Sequence, residues 1–439
     1  MSNTEVIKKK LDKFDKEIFV SGDKSISIRW ILLASLASGI SKAKNLLISE
    51  DVKASIKTIR KLGIKVILNK KFCKIYGKGV DGYRYQKNLT INAENSGTLG
   101  RLILGFLINT SKPIRLVGDK SLSMRDFKRI TDPLSKFGAT FKLKNKKNLP
   151  LTIYAAKTLK PISYIEKKGS AQCKSAVIFA GMKANGKTFI KAKKSRNHTE
   201  LMCKYLKLPI KVKNKANYDL ISIEKVKKIK PFNYKIPSDI SSSAFFIVLA
   251  VLSEKSKLVI KDVNINPSRI GIITILIKMG AKIIFKNLKI YKGEKLADIK
   301  VEGLRKLKAI NCPSRLNSGA IDEFLVIFLV AAKANGISYF RDLAELNQKE
   351  SQRLLWSAKI LNFMGVKNVV TNNSIKIYGN PNLKINKKIT IKNYSKDHRV
   401  FMTCVIAALS FGGEWYIHDK DSINTSFPNF LKIINDLKN

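Results

Sequence analysis

GDKSISIRWILLASLASG, residues 22–39, joins a polar start to about three turns of apolar helix and ends on glycine. Lys24, Ser25 and Arg29 stand in the first part of this stretch, where a helix leaves backbone N–H groups without intrahelical partners. These N–H groups and the helix dipole make the N-terminus partly positive, so it attracts anions. The stretch therefore predicts a buried helix whose first turn faces a phosphate or a carboxylate.

The same pattern occurs in five further stretches, and equivalent positions are 69 to 81 residues apart. This period lies outside those of common solenoids and indicates a few large copies of one unit. Each copy also carries a second helix-like segment, which in four copies ends at glycine, and short β-rich runs. The repeated unit is thus predicted to be strand–helix–strand–helix–strands. The five further stretches are residues 95–109, 169–186, 238–254, 318–336 and 395–412.

The chain length of 439 residues is too great for one compact core and suits two α/β domains of about 200 residues each. Three units per domain divide the chain near Pro237. We therefore predict one domain at residues 21–237 and a second domain formed by residues 1–20 plus 238–439, with a short hinge between them. We expect a strand at residues 18–21 to pair with the second domain. A hinge and ligand sites at helix starts predict closure over a ligand.

The formal net charge of +52 comes from 84 basic and 32 acidic residues, and 70 of the basic residues are lysine. Nucleic-acid-binding proteins cluster their charge on one face and favour arginine at bidentate contacts. Here lysine is spread along the chain, which favours a solvated surface. Two alternatives are the attraction of small anionic substrates and a nucleic-acid-binding function.

The five cysteines are odd in number and widely spaced, without the paired spacing of a zinc site. We therefore predict reduced thiols, a cytoplasmic location and no metal. The longest apolar run, residues 244–252, is far shorter than the roughly 20 residues that cross a bilayer, so no membrane association is expected. The N-terminus has neither an apolar core nor a small-residue cleavage site, so we expect no signal peptide.

Other copies of the pattern also open with residues that suit polar ligands. NSGT contains Gly97, which lets backbone approach a ligand closely, and GDKSLSMR ends on Arg125. SAQCK places a hydroxyl, an amide and an ammonium group before an apolar helix, where they can orient a polyol. SRNH adds Ser195 and Arg196 as a second phosphate-binding pair. Each motif alone is also typical of a capped turn or a solvated loop.

Carboxylates and cations begin the last two copies. Asp322 and Glu323 directly precede FLVIFLVAA, either because acids favour helix starts or because one of them is a general base. Lys349 and Arg353 are spaced i, i+4, which predicts that they share one helix face. Arg399 lies at the start of the sixth helix. Four of the six repeat helices carry a lysine, an arginine or a carboxylate at their start in the same register, and this joint occurrence favours a site over separate surface charges.

The ordered motifs resemble the 5-enolpyruvylshikimate-3-phosphate synthase family over residues 20–437. This resemblance implies two similar α/β domains, each an inside-out α/β barrel of three repeated βαβαββ-type units. It implies transfer of the enolpyruvyl group of phosphoenolpyruvate to the 5-hydroxyl of shikimate 3-phosphate, with release of phosphate and no cofactor. The motifs that carry it are GDKSIS, NSGT, GDKSLSMR, SAQ-K-SA, SRNHTE, NPSR-GI, IDE, KES-R, DHR and TSFP.

The resemblance also implies roles for individual residues. The catalytic residues would be Asp322 as general base, Glu350 as proton donor to the methylene carbon, and Lys24. The residues that would bind shikimate 3-phosphate are Lys24, Ser25, Arg29, Ser170, Ala171, Gln172, Ser195, Arg196, Asp322 and Lys349. The residues that would bind phosphoenolpyruvate are Lys24, Gly97, Arg125, Gln172, Arg353 and Arg399.

Two alternatives stay open at this point. The related UDP-N-acetylglucosamine enolpyruvyl transferase usually carries a reactive cysteine in the loop before the arginine at the position of Arg125, and residues 118–125 contain none. A basic nucleic-acid-binding protein would instead show steep salt dependence. The interpretation that we favour predicts a monomer that acts on small anionic substrates, with neither nucleic acid nor membrane as partner.

Overall fold

The computed structural model describes residues 3–303 and 306–438, which form two compact units. The first unit, here the N-proximal unit, comprises Gly22–Ile236 together with Lys292–Glu294. The C-proximal unit comprises the residues up to Ser21, Pro237–Tyr291 and the residues from Lys295 onward. The chain thus leaves the C-proximal unit after Ser21 and returns to it at Pro237.

The structure contains both helices and strands along its whole length. The helices are α1 (Lys24–Ser35), α2 (Glu50–Lys61), α3 (Gly97–Leu107), α4 (Lys120–Ser123), α5 (Lys128–Ser135), α6 (Ala171–Gly181), α7 (His198–Tyr205), α8 (Ile240–Leu252), α9 (Gly271–Lys278), α10 (Asn317–Ala320), α11 (Phe324–Lys333), α12 (Arg353–Phe363), α13 (His398–Phe411) and α14 (Phe430–Lys438). The strands are β1 (Glu5–Ile7), β2 (Asp15–Ile18), β3 (Ser38–Lys44), β4 (Lys65–Leu68), β5 (Phe72–Lys78), β6 (Leu89–Asn92), β7 (Ile114–Val117), β8 (Thr140–Lys144), β9 (Asn148–Tyr154), β10 (Ser163–Glu166), β11 (Thr188–Lys193), β12 (Ile210–Asn214), β13 (Tyr218–Ile223), β14 (Asn233–Lys235), β15 (Lys257–Asn264), β16 (Lys282–Tyr291), β17 (Glu294–Glu302), β18 (Gly336–Phe340), β19 (Asn368–Val370), β20 (Ile375–Gly379), β21 (Lys388–Ile391) and β22 (Glu414–Ile417).

The strands of the N-proximal unit form three sheets of mixed parallel and antiparallel pairing, with the orders β14-β3-β5-β4, β6-β7-β9-β8 and β10-β11-β13-β12. Each sheet is accompanied by one of the buried helices α1, α3 and α6, and two of the sheets take their strands from one stretch of chain. The first sheet also contains β14, which lies just before the fourth copy and pairs in parallel with β3. Helices α3 and α6 pack together, and the rings of Phe106 and Phe179 stack with their centroids 4.2 Å apart.

The C-proximal unit repeats this arrangement with the sheet orders β16-β17-β15-β2, β18-β20-β19 and β1-β22-β21. Its helices α8, α11 and α13 are buried along almost their whole length and form the core. Strand β2 pairs in parallel with β15, so the early strand does join the C-proximal unit. The predicted bounds of this strand, residues 18–21, were wrong because the extended ladder covers Asp15–Ile18.

Five of the six repeat helices begin with a side chain that accepts a hydrogen bond from their own first turn. Asp23 accepts from the N–H of Ile26 at 2.8 Å, and Ser170 accepts from that of Cys173 at 3.2 Å. The remaining caps are Ser96, Asp239 and Asp397. Such caps satisfy N–H groups that the helix leaves unpaired, which explains why the polar start of these five repeats fixes where the helix begins.

The cysteines Cys73, Cys173, Cys203, Cys312 and Cys404 are all buried free thiols. Within residues 3–303 and 306–438, no helix is both long and apolar enough to cross a membrane. The same residues contain no group of three or more His, Cys, Asp or Glu side chains arranged to hold a metal ion.

Candidate active site

Arg29 of the N-proximal unit is held by hydrogen bonds from all three guanidinium nitrogens. Its Nε donates to Thr199 Oγ1 at 2.7 Å, and its Nη2 donates to Ser175 Oγ at 3.2 Å. The third guanidinium nitrogen, Nη1, donates to the main-chain oxygen of Ser25 at 3.0 Å. Because α1, α6 and α7 all contribute partners, the guanidinium is fixed before any ligand arrives.

Lys24 and Ser25 occupy the first turn of α1, beside Arg29. The Nζ of Lys24 lies 2.9 Å from Asp51 Oδ2, and the lysine side chain keeps about a fifth of its surface exposed. This contact orients the ammonium group and leaves part of it accessible. The structure therefore places Lys24, Ser25 and Arg29 together at one helix start.

Gln172 lies in the first turn of α6, after the capping residue Ser170 and after Ala171. Its Oε1 accepts from Arg101 Nη1 at 2.6 Å, and its Nε2 donates to Thr98 Oγ1 at 3.1 Å. Both amide atoms are thus oriented by side chains of α3. The starts of α3 and α6 are joined through this amide.

Gly97 and Arg125 lie close to each other at the start of α3. A Cβ atom at Gly97 would lie 3.0 Å from Arg125 Nη1 and 3.3 Å from Arg101 Nη1. Arg125 Nη2 also donates to Asn95 Oδ1 at 3.2 Å. The missing side chain at Gly97 therefore leaves room for two guanidinium groups, and a methyl group there would require them to shift.

Ser195 and Arg196 lie in the loop between β11 and α7. Ser195 is largely buried, and within residues 3–303 and 306–438 its Oγ has no hydrogen-bond partner. A buried hydroxyl without a partner costs free energy unless a ligand or water completes it. This loop is therefore suited to a polar ligand.

In the C-proximal unit, three basic side chains surround Asp322. Lys349 Nζ lies 3.1 Å from Asp322 Oδ1, and Arg353 Nη1 lies 3.5 Å from the same oxygen. Arg399 Nη1 donates to the main-chain oxygen of Asp322 at 2.7 Å. Cationic neighbours favour the ionised form of a carboxyl group, which is the form that a general base requires.

Arg353 is the centre of a buried ionic cluster. Its Nε lies 2.9 Å from Asp397 Oδ2, its Nη2 lies 3.2 Å from Asp397 Oδ1, and Nη2 also bonds to Glu350. Burial alone would raise the pKa of Asp397, but the Arg353 guanidinium outweighs it and holds that pKa below its ordinary value. The cluster fixes Arg353 beside Asp322 and holds Glu350 on the same guanidinium.

The prediction that Lys349 and Arg353 share one helix face was wrong. Helix α12 begins at Arg353, whereas Lys349 ends a short 3-10 turn and has an extended backbone with ψ of −158°. The two side chains nevertheless meet at Asp322, because the loop before α12 turns Lys349 toward it. The loop before α12, and not helical spacing, therefore brings Lys349 and Arg353 together.

Sequence reasoning gave no role to Thr199, Ser175 or Asp397, which hold the candidate arginines. Thr199 lies 170 residues and Ser175 lies 146 residues from Arg29, and Asp397 lies 44 residues from Arg353. All three occur inside quoted motifs, which was the available signal: Thr199 in SRNHTE, Ser175 in SAQ-K-SA and Asp397 in DHR. Their partners could not be assigned, because contacts over such distances depend on helix packing.

Comparison with known proteins identifies the family. A family profile described as EPSP synthase (3-phosphoshikimate 1-carboxyvinyltransferase) matches residues 8–434. The chain belongs to the EPSP synthase family. It is 41% identical over 420 residues to a 3-phosphoshikimate 1-carboxyvinyltransferase of Ruthia magnifica, which covers 95% of this chain and 94% of the relative. It is 38% identical over 424 residues to that of Caldicellulosiruptor bescii, with 96% of both chains covered.

Solved structures agree with this EPSP synthase assignment. The EPSP synthase of Acinetobacter baumannii superposes with a TM-score of 0.87 at 34% identity, covering 99% of this chain and 98% of that one. The enolpyruvyl transferase NikO of Streptomyces tendae shares the fold, with a TM-score of 0.76 at 14% identity and coverage of 100% and 98%. The predicted family, the two-domain α/β fold of repeated units and the predicted enzyme class, 3-phosphoshikimate 1-carboxyvinyltransferase, are confirmed.

Proposed function

We propose that this chain transfers the enolpyruvyl group of phosphoenolpyruvate to the 5-hydroxyl of shikimate 3-phosphate and releases phosphate. The observation that carries this proposal is the placement of Asp322 among Lys349, Arg353 and Arg399. This group combines a proton acceptor with cations, as a reaction between a hydroxyl group and an anionic substrate requires. The sequence identity to the curated relatives supports the same reaction.

Eight of the ten residues proposed to bind shikimate 3-phosphate lie in the N-proximal unit, and the other two are Asp322 and Lys349. Arg29 and Lys24 would contact anionic groups, and their fixed positions reduce the entropy lost on binding. Ser195 and Arg196 would meet the phosphate, and the buried Ser195 hydroxyl supports this role. The remaining proposed contacts from this unit are Ser25, Ser170, Ala171 and Gln172.

The residues proposed to bind phosphoenolpyruvate are those that the family resemblance implies. Gly97 and Arg125 lie together at the start of α3, Lys24 and Gln172 lie in the first turns of α1 and α6, and Arg353 and Arg399 contact Asp322. Charge-assisted contacts from arginine to carboxylate or phosphate are about twice as strong as neutral hydrogen bonds. Several such contacts are needed, because the two substrates together carry several negative charges.

The proposed chemistry assigns separate proton transfers to two carboxyl groups. Asp322, assisted by Lys349, takes the proton of the 5-hydroxyl group while the oxygen of that hydroxyl bonds to C2 of phosphoenolpyruvate. Glu350 delivers a proton to the methylene carbon in the same step. Loss of phosphate and of one proton from that carbon then restores the double bond. General acid and base catalysis contributes roughly 10²- to 10⁴-fold, and holding both substrates together contributes about 7–11 kcal/mol. The exchange of one C–O bond for another changes no oxidation state, so the reaction calls for no redox cofactor.

Phosphate release from the purified chain tests this function. We expect release only when phosphoenolpyruvate and shikimate 3-phosphate are present together, and no release with UDP-N-acetylglucosamine as the acceptor. Release with the nucleotide sugar, or from phosphoenolpyruvate alone, would contradict the proposal. A monomeric state and the absence of a nucleic-acid partner are further proposals. Light scattering and DNA binding measured over a range of salt concentrations test them.

A further inference from the structure

Glu323 follows Asp322 in the sequence and has no part in the chemistry proposed above. It precedes α11, its side chain is completely buried, and its carboxylate accepts a hydrogen bond from the Oγ of Ser241 on α8. The Nη1 of Arg399 lies 3.9 Å from the Oε1 of Glu323. A buried carboxylate without opposite charges would be costly, so these contacts must persist in the folded chain.

Ser241 joins Glu323 to a second buried ion pair. Arg269 Nη2 donates to Ser241 Oγ at 2.7 Å and to Asp239 Oδ1 at 3.2 Å. Asp239 in turn accepts from the N–H of Ser241 at 2.7 Å. One hydroxyl group can both donate and accept, so Ser241 connects the Glu323 carboxylate to the Arg269 guanidinium.

The backbone turn that carries Asp322 is held by a further contact, which comes from the segment that begins at Arg269. Gly271 follows Arg269 closely, and a Cβ atom there would lie only 2.6 Å from the carbonyl carbon of Gly319 and 2.8 Å from the nitrogen of Ala320. The segment that begins at Arg269 therefore packs directly on the chain just before Asp322. Arg399 holds the other side of the turn through the main-chain oxygen of Asp322.

We propose that Glu323 and Ser241 are positioning residues that hold Asp322 at its distances from Lys349 and Arg353. This inference rests on the proposed role of Asp322 as general base. A general base works when its oxygen lies within about 2.6–3.2 Å of the atom that carries the proton, and a misplacement of about 1 Å can cost roughly 100-fold in rate. The contacts of Glu323 with α8 and α13 fix the turn to that tolerance.

Ser241→Ala in the full chain tests the proposal, because it removes the hydroxyl that links Glu323 to Arg269 and adds no bulk. We expect kcat to fall about 10- to 100-fold, while KM for each substrate changes less than about 3-fold. Ser243→Ala is the matched control, since Ser243 is buried on the same helix and its hydroxyl donates to the main-chain oxygen of Asp239 at 2.9 Å. We expect its kcat to stay within about 2-fold of that of the unmodified chain.

Glu323→Gln provides a second variant that keeps the shape and one acceptor oxygen but removes the charge. We expect kcat to fall at least about 10-fold with unchanged KM, and this variant decides if Ser241→Ala does not fold. A kcat within about 2-fold of the unmodified chain in the folded variants, or an equal loss in Ser243→Ala, overturns the positioning role alone. An unmodified chain that releases no phosphate from the two substrates overturns the proposed function and this role together.

Discussion

Replacement of Asp397 by asparagine tests the energetic importance of the cluster around Arg353. Asp397 is completely buried, and its two oxygens accept from Arg353, from the Ser351 hydroxyl at 2.8 Å and from the N–H of Arg399 at 2.9 Å. Asparagine has the same shape but carries no charge, and its NH₂ group cannot accept a hydrogen bond from the guanidinium. The change therefore leaves Arg353 buried with part of its charge unbalanced.

The expected loss of stability follows from this geometry. Removing one partner of a buried ion pair lowers the free energy of unfolding by about 3–5 kcal/mol. Because the carboxylates of Glu350 and Asp322 stay beside Arg353, we expect a loss at the lower end of this range, about 3 kcal/mol. In a cooperatively unfolding unit of roughly 220 residues, a loss of about 1 kcal/mol in the free energy of unfolding lowers Tm by about 2–4 °C. Asp397→Asn should thus lower Tm by about 6–12 °C at pH 7, measured by differential scanning calorimetry.

Asp421→Asn is the matched control, because Asp421 is exposed and lies 3.3 Å from Lys396. An exposed ion pair contributes about 0.5 kcal/mol to the free energy of unfolding, so we expect Asp421→Asn to lower Tm by about 2 °C or less. A decrease in Tm for Asp397→Asn that is no larger than that of this control would refute the reasoning.

The pH dependence supplies a second check with a definite sign. Since the folded pKa of Asp397 lies below the unfolded value of about 3.9, its stabilisation is complete above the unfolded pKa. It is lost as the pH falls through the lower folded pKa. The Tm difference between the unmodified chain and Asp397→Asn should therefore be the same at pH 7 and pH 5 and should shrink below about pH 4. A difference that stays constant into the acid range would show that charge is not its cause.

Three further predictions concern activity and thiol reactivity. Asp322→Asn should lose at least about 100-fold in kcat and keep shikimate 3-phosphate binding by calorimetry, and near-normal turnover would remove it as the base. Arg125→Ala should raise KM for phosphoenolpyruvate more than for shikimate 3-phosphate, and equal increases would contradict its assignment. Burial raises the pKa of Cys73 to about 12 and that of Cys312 to about 11, so a disulfide reagent at pH 8 should label folded protein slowly and urea-unfolded protein fully. Rapid labelling of the folded chain would contradict the buried placement of its cysteines.

Much of the fold could be predicted because its signals are local. Asp23 and Ser170 cap their helices by bonds that span three residues, and the apolar runs that follow are long enough to be buried helices. The repetition of these signals predicted the repeated units before any contact was known. The element ends were less accurate: α12 begins at Arg353 and leaves out Lys349, which was expected on the same helix face. Loop geometry before a helix depends on what the loop packs against, and composition does not encode that.

The same difference between local signals and long-range contacts applies to the candidate site. Its cations and carboxylates were found from the sequence, because helix starts with Lys, Arg or Asp recur at equivalent positions. Which of them touch was decided by tertiary structure: Asp322 meets Lys349 across 27 residues, and Ser241 meets Glu323 across 82. Local sequence was thus sufficient to specify the repeated helices and the chemical groups at their starts, since capping and burial act over a few residues. Only the packing of helices against one another determined the partner of each group, because a hydrogen bond forms only when two distant segments come within about 3 Å.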